Sequence, residues 1–330
     1  MSDARNPKVG VIVPMYNSAA TIGEALISIC AQSWQNLDIV VVDDGSEDGS
    51  SEIVAEHARR DPRIRMIKQR NCGVAAARNR GAAETDADIL SFIDADDLWA
   101  PNKIEAQLAV STDEQGLPNL VYCWFARTDQ HGRAYKVGEQ EIVEGDVLRR
   151  ICRENFVGSG SSLLMARQIF DRVGGFDVSL QAANAQGCED LLFLAIAARF
   201  FSFRVVPRYL LGYRLSHTSM SSDAASMLRS FRMVAQKMLA VEPAYKAEWD
   251  AHHDAFVLWL MRRAVTGGRI ADARSIMKNL GPHHSSANAA MLPELLSIYT
   301  KSVAIPRSVK SFAQRSRIQK KRARYLDLVW

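Results

Sequence analysis

Leu37–Ser46 reads LDIVVVDDGS. The stretch is almost continuously apolar and β-branched up to Val42, then breaks into two carboxylates, a glycine and a serine. An apolar run of strand length, with no polar alternation, predicts a strand buried on both faces, as in parallel sheets covered by helices. Two neighbouring stretches repeat the pattern. Lys8–Pro14 (KVGVIVP) runs into Met15-Tyr16-Asn17, and Ala87–Ile93 runs into Asp94-Ala95-Asp96-Asp97. Between them lie helical patterns over Ser18–Gln32, Ser50–Arg60 and Val74–Ala83, and a short strand pattern over Ile64–Ile67. This βα alternation predicts an α/β fold with a mainly parallel central sheet and helices on both faces. In such sheets ligands bind outside the carboxyl ends of the strands, where the polar residues gather here.

Further on, strand patterns cover Leu120–Ala126, Ser162–Met165, Phe203–Val206 and Tyr209–Arg214, with a helix through Leu191–Phe200. From about Ala224 the chain has helical periodicity, broken at Gly267-Gly268 and Gly281-Pro282. The expected division is a catalytic region over 1–222 and a helical C-terminal region over 223–330.

Composition is that of a globular protein, with 48% hydrophobic and 24% charged residues among 330. No apolar run approaches the ~18–20 residues of a membrane-spanning helix. The N-terminal MSDARNPK has no apolar signal core. The five cysteines are widely spaced and form no CxxC pair, which argues against a zinc site or a disulfide framework. A reducing cytoplasmic location is expected. Net charge is +4, and basic residues crowd the end of the chain, from Lys301 to Arg324. That tail suits an anionic membrane surface at the inner face of the cell membrane, or else is a solvated helix face. Nucleic-acid binding is not expected, because interleaved aromatics and a recognisable motif are missing.

The acids of FIDADDLW, Phe92–Trp99, pose the chemical question. If the chain stays extended, Asp94 and Asp96 face the same way and form a hard-oxygen pocket for Mg²⁺ or Mn²⁺. The plain structural alternative is a polar loop, with Asp97 shaping the turn into the next helix. Asp43-Asp44-Gly45-Ser46 reads either as a turn capping the next helix or as a carboxylate for a nucleobase or ribose, with Tyr16 placed to stack on a base. Gly73–Gly81 (GVAAARNRG) is a close-packing helix from which Arg78 or Arg80 could reach a diphosphate. Glu189-Asp190 before an apolar helix complements the helix dipole or supplies a general base. Arg214 and His217 are candidate phosphate or metal partners.

In order along the chain, VIVPMYN, VVDDGSEDGS, GVAAARNRG, FIDADD, GGFD (Gly174–Asp177), CED (Cys188–Asp190) and YRLSH (Tyr213–His217) resemble the family 2 glycosyltransferases, which have the GT-A fold. The resemblance covers roughly residues 8–220. It implies that Tyr16, with Pro14 and Asn17 beside it, lies against the nucleobase of a nucleotide-sugar donor, most often uracil, and that Asp44 hydrogen-bonds that base. It implies that Asp94 serves the ribose or metal, that Asp96 serves Mg²⁺ or Mn²⁺, and that Arg214 and His217 approach the diphosphate or the metal, with Arg78 kept as the donor-side candidate for the diphosphate. Gly175, Phe176 and Glu189 would shape the acceptor side, with Asp190 as catalytic base. The implied enzyme is a metal-dependent, inverting glycosyltransferase of hexosyltransferase type. Its acceptor would be a glycan or lipid-linked intermediate of cell-surface polysaccharide synthesis. A QxxRW motif is missing, which favours a single transfer per encounter. The loop Gln181–Gly187 (QAANAQG) is expected to set the acceptor. Two other readings compete. A sugar-1-phosphate nucleotidyltransferase would need a Gly-rich loop where this chain has PMYNSAAT. A non-catalytic nucleotide-sugar-binding protein would have no need to retain both Asp96 and Asp190.

Overall fold

The computed structural model describes residues 6–136, 140–215 and 223–279. In chain order the elements begin β1 (Val9–Met15), α1 (Ile22–Cys30), β2 (Leu37–Asp43), α2 (Ser50–Arg60), β3 (Ile64–Lys68), α3 (Gly73–Ala83) and β4 (Ile89–Phe92). Then come β5 (Leu98–Trp99), α4 (Lys103–Leu108), β6 (Leu120–Thr128), β7 (Ala134–Lys136), α5 (Leu148–Arg153), β8 (Leu164–Ala166), α6 (Arg167–Val173) and α7 (Ser179–Ala182). The described chain closes with α8 (Glu189–Ala197), β9 (Phe203–Arg214), α9 (Ala224–Val241), α10 (Lys246–Thr266) and α11 (Ile270–Asn279).

These strands share one sheet in the order β3-β2-β1-β4-β8-β6-β9-β5, with β7 paired to β6. Strands β1 to β4 pair in parallel, as expected. Beyond β4 the sheet is mixed: β8 runs antiparallel to β4 and β6, and β5 antiparallel to β9. The apolar runs are buried on both faces because side chains alternate sides. Val9, Val11, Val13 and Met15 join a cluster with Ile22, Leu26, Ile29 and Val54 of α1 and α2. Ile12, Leu90 and Phe92 face the opposite cluster with Ala75 and Ala82 of α3. Helix α3 turns small residues, Ala75, Ala77, Gly81 and Ala82, inward and so sits close to the sheet. A Cβ at Gly81 would lie 2.5 Å from Ile12 Cγ2, so that position admits only glycine without rearrangement.

Two expected strands, Phe203–Val206 and Tyr209–Arg214, are a single strand, β9. Its register against β6 jumps between Cys123↔Val206 and Trp124↔Tyr209, which leaves Pro207 and Arg208 as a bulge. Proline lacks an N–H for the ladder and is at home in such a bulge.

The C-terminal helices continue the core. Phe231 and Met238 of α9, Trp249 and Leu260 of α10 and Ile276 of α11 belong to the same buried cluster as Phe92, Leu191 and Phe193. Phe231 sits at 5.8 Å from Trp249 and 4.7 Å from Phe256, ring centre to ring centre. The Gly267-Gly268 break falls where α10 ends. Gly281-Pro282 and the basic stretch from Lys301 lie outside the described residues. Among the described residues no helix is long and apolar enough to cross a membrane.

Candidate active site

The chain runs outward from β1 through β2 to β3, then returns to β4 on the other side of β1. The reversal leaves a crevice between the ends of β1 and β4, the place where doubly wound sheets bind ligands. Pro14 helps to open it. The β1–β4 pairing stops at Ile12↔Phe92, and Pro14 points the same way as Ile12, whose carbonyl accepts from Ile93 N–H. Its missing N–H therefore costs no ladder bond. A cavity of about 710 Å³ occupies this crevice. Its lining includes Pro14, Tyr16, Asn17, Asp44, Arg78, Asp94, Asp96, Glu189, Asp190 and Arg214. Residues up to 200 positions apart are thus gathered at one site.

The acid stretch is a turn, which corrects the extended reading. Asp97 N–H donates to the Asp94 carbonyl at 3.0 Å. Both Asp94 and Asp96 still reach the cavity. Asp97 does not cap the following helix: α4 has Asn102 at its cap position, without a side-chain cap. Instead Asp97 is fully buried and its Oδ1 accepts the Arg214 N–H at 2.9 Å, which fastens the turn to the end of β9. Arg214 returns the grip, with Nε donating to the Asp96 carbonyl at 2.6 Å, Nη1 to the Gln130 carbonyl at 2.7 Å and Nη2 to Glu24 at 2.8 Å.

Arg78 is buried, and its Nη2 pairs with Asp94 Oδ1 at 2.6 Å. Its guanidinium lies 5.0 Å over the Phe176 ring. Burial works against its charge, but Asp94, Asp190 and Glu189 more than offset that and hold it protonated. Arg80, its alternative, pairs with Glu84 on the outside of α3.

At the other wall, Tyr16 is 51% exposed, so an aromatic face stands open at the end of β1. Asn17 adopts a left-handed backbone (φ +46), fixed by its N–H to Ser46 Oγ at 3.0 Å and by Glu47 N–H to its Oδ1 at 2.9 Å. Asn tolerates that conformation better than most residues. Asp44 Oδ1 accepts from Gln69 Nε2 and Cys72 N–H, and Oδ2 from Gly73 N–H, each at 2.8 Å. The carboxylate therefore also ties the start of α3 to β2.

Glu189 and Asp190 stand in the first turn of α8. Glu189 accepts the Gly187 N–H and Asp190 the Leu191 N–H, both at 2.8 Å. Burial raises both carboxyls above their ordinary values, and Arg78 counters part of the rise. A carboxylate of raised basicity facing a cavity is suited to accept a proton.

Gly175 and Phe176 do not line the cavity; the structure places them beneath it. Phe176 is buried against Phe92, Phe170 and Phe193. Its main chain exchanges two hydrogen bonds of 2.8 Å with the Asn79 side chain. GGFD and GVAAARNRG thus brace each other under Arg78. His217 lies outside the described residues.

The Gly158–Ser162 run (GSGSS), which carries no role in the sequence reading, turns out to hold the site's floor. Ser161 Oγ accepts the Asp94 N–H at 3.0 Å, and its carbonyl accepts the Trp99 indole N–H at 2.9 Å. The Gly160 Cα lies close to the Arg78 guanidinium, with only 3.4 Å from a Cβ position to Nη2. The density of small residues just before a strand is the signal that marked this run. Gln181, Gln186 and Gly187 of the expected acceptor loop also line the cavity, as does Gln130, which nothing in its local sequence distinguishes.

Among the described residues no three His, Cys, Asp or Glu side chains form a ready-made metal cage. Asp94 and Asp96 nonetheless suit a hard cation. Asp96 is pushed up to about 6, first by burial and then by the Asp94 charge. A divalent ion relieves such crowding, and Mg²⁺ or Mn²⁺ completes its shell with water and substrate phosphate.

Known proteins resemble this chain in sequence and in fold. An uncharacterized glycosyltransferase of Rickettsia typhi is 28% identical over 212 residues, covering 61% of this chain and 63% of its own length. The uncharacterized glycosyltransferase EpsJ of Bacillus subtilis is 36% identical over 129 residues, covering 39% of this chain and 37% of its own. The chain thus spans less than two thirds of the length of these curated relatives. A solved mannosyltransferase from Pyrobaculum calidifontis, in complex with GDP-Man and Mn²⁺, superposes with a TM-score of 0.57 at 20% identity, over 90% of this chain and 87% of that one. The shared fold is GT-A. Residues 10–174, half of the sequence, match the family described as glycosyl transferase family 2, and the chain belongs to that family.

Proposed function

We propose that the protein transfers a sugar from a nucleotide-sugar donor, a UDP-sugar by preference, to an acceptor hydroxyl, in one displacement that inverts the anomeric carbon. The observation that carries this reading is the convergence of Tyr16, Asp44, Asp94, Asp96 and Asp190 on one cavity. Asp190 takes the hydroxyl proton. The oxygen attacks the anomeric carbon as the bond to the diphosphate oxygen breaks, and the electron pair leaves with the diphosphate. The transition state is oxocarbenium-like, as in other glycosyl chemistry. Tyr16 and Asp44 hold the base, and Arg78 offers positive charge near the diphosphate. Arg214 spends hydrogen bonds on the acid turn, so its part is to fix Asp96 as well as to add charge.

Asp94 and Asp96, with His217 from the undescribed segment, would hold Mg²⁺ or Mn²⁺, whose charge when bound would neutralise the diphosphate. The charges of the cavity favour this. Its described lining carries five carboxylates (Asp44, Asp94, Asp96, Glu189, Asp190) against two guanidiniums (Arg78, Arg214), a poor reception for a diphosphate alone. A glycan or lipid-linked acceptor at the inner membrane face, approached through the basic tail, completes the proposal, with one transfer per encounter. The solved structure of S. aureus TarS in complex with UDP-GlcNAc, of the same fold at 19% identity and a TM-score of 0.55, makes that donor a reasonable first trial.

The test is a panel of nucleotide sugars incubated with the chain and Mn²⁺ or Mg²⁺, with and without chelator, reading release of nucleoside diphosphate. Release from a UDP-sugar that stops with chelator is expected. No release and no thermal stabilisation with any member would overturn the reading. Release indifferent to chelator would remove the metal from it.

A further inference from the structure

The segment Asn184–Cys188 leads into Asp190 and walls the cavity through Gln186 and Gly187. One face of α9 holds it. Gln186 N–H donates to Ser226 Oγ at 3.0 Å, and Cys188 N–H to Ser230 Oγ at 3.1 Å. Ser226 and Ser230, four residues apart, share a helix face. From the same helix, Arg229 donates through Nε at 3.0 Å and Nη2 at 2.8 Å to the Asn184 carbonyl. Asn184 has a left-handed backbone, φ +49, the same conformation that Asn17 adopts and that asparagine accepts. Between these contacts Met227 fills the space beside Gly187. A Cβ there would lie 2.0 Å from Met227 Sδ, and φ is +113, so only glycine allows the approach.

Cys188 is the cap residue of α8, so what fixes its N–H fixes the first turn that carries Glu189 and Asp190. Misplacing a catalytic group by about 1 Å can cost on the order of 100-fold in rate. We propose that Ser226, Arg229 and Ser230 are positioning residues, through which the C-terminal helical region sets the acceptor wall and the placement of Asp190. This rests on the reading of Asp190 as the base of a sugar transfer.

The test uses the full chain with Ser226→Ala/Ser230→Ala, and separately Arg229→Met with Arg229→Lys as its conservative partner. Arg229 is exposed, so its variants keep the fold even where the double serine variant does not. Amide hydrogen exchange over residues 184–190 is measured first. Exchange at least tenfold faster there, unchanged in β1–β4, is expected for the double variant and for Arg229→Met, with Arg229→Lys close to wild type. Unaltered exchange overturns the grip. Steady-state kinetics follow, with the UDP-sugar and octyl glycoside that wild type turns over fastest. Acceptor kcat/KM is expected to fall at least tenfold, through kcat, KM or both, while donor KM moves less than twofold. Loosened exchange with unmoved kcat and acceptor KM, or a rise in donor KM equal to that of the acceptor, overturns the positioning role and leaves the transferase reading intact. A wild-type chain that turns over no pair overturns that reading and the positioning role with it, while the grip is still judged by exchange.

Discussion

Lys103 opens α4 with its side chain turned inward and fully buried. Its Nζ donates to Ser91 Oγ at 3.2 Å and the Leu163 carbonyl at 3.4 Å, and lies 4.1 Å from the centre of the Trp99 ring. Burial pushes the amine down from 10.5 to about 7. Between those two values the unfolded chain binds a proton that the folded chain does not, so stability rises with pH across that window. At about 1.4 kcal/mol for each pH step, this one group contributes roughly 2–3 kcal/mol of gain between pH 7.5 and pH 9.5. Lys103→Met removes the titration and keeps most of the volume. The Leu163 carbonyl stays satisfied, because Ser91 Oγ donates to it at 2.6 Å. Urea unfolding of both proteins at the two pH values measures the effect. The pH-dependent gain of wild type should exceed that of Lys103→Met by roughly 2–3 kcal/mol. Parallel pH dependences would show that the amine is not desolvated as the structure has it.

Two further outcomes are expected. Tyr16→Ala should leave the melting temperature unchanged, since the ring is half exposed, and weaken UDP binding in calorimetry by about 1–3 kcal/mol, the worth of one stacked base. Unaltered affinity would remove Tyr16 from the donor site. Asp97→Ala should destabilise the chain by about 1–3 kcal/mol, because the buried Arg214 N–H loses its acceptor, and denaturant titration reads the loss. A neutral result would show that the bond from Arg214 N–H to Asp97 does not fasten the turn.

The βα core was legible because burial on both faces writes itself as unbroken apolar runs, and α2 matches its expected bounds, Ser50–Arg60. Elements whose burial depends on distant partners were not. β5 is two residues long and exists only through β9. The turn at Asp94–Asp97 is set by Arg214 and Ser161, from 117 and 67 positions away, so spacing within FIDADDLW could not reveal it. Phe176 carries the same letters whether it faces an acceptor or, as here, a ring cluster under Arg78. The acids at the strand ends were readable because a carboxylate rarely ends a buried strand without a partner or ligand. What bound them together was not, since helices and loops from three later segments close the cleft.

The central claim is that Asp190 removes the acceptor proton. The measurement is turnover and UDP affinity of Asp190→Asn, an isosteric change that removes the basic oxygen. Loss of transfer by about 10²–10⁴-fold, with UDP affinity within twofold of wild type, is the expected result. Turnover within a few-fold of wild type would contradict the account and send the search for the base to another carboxylate of the cavity, with Glu189 the first to try.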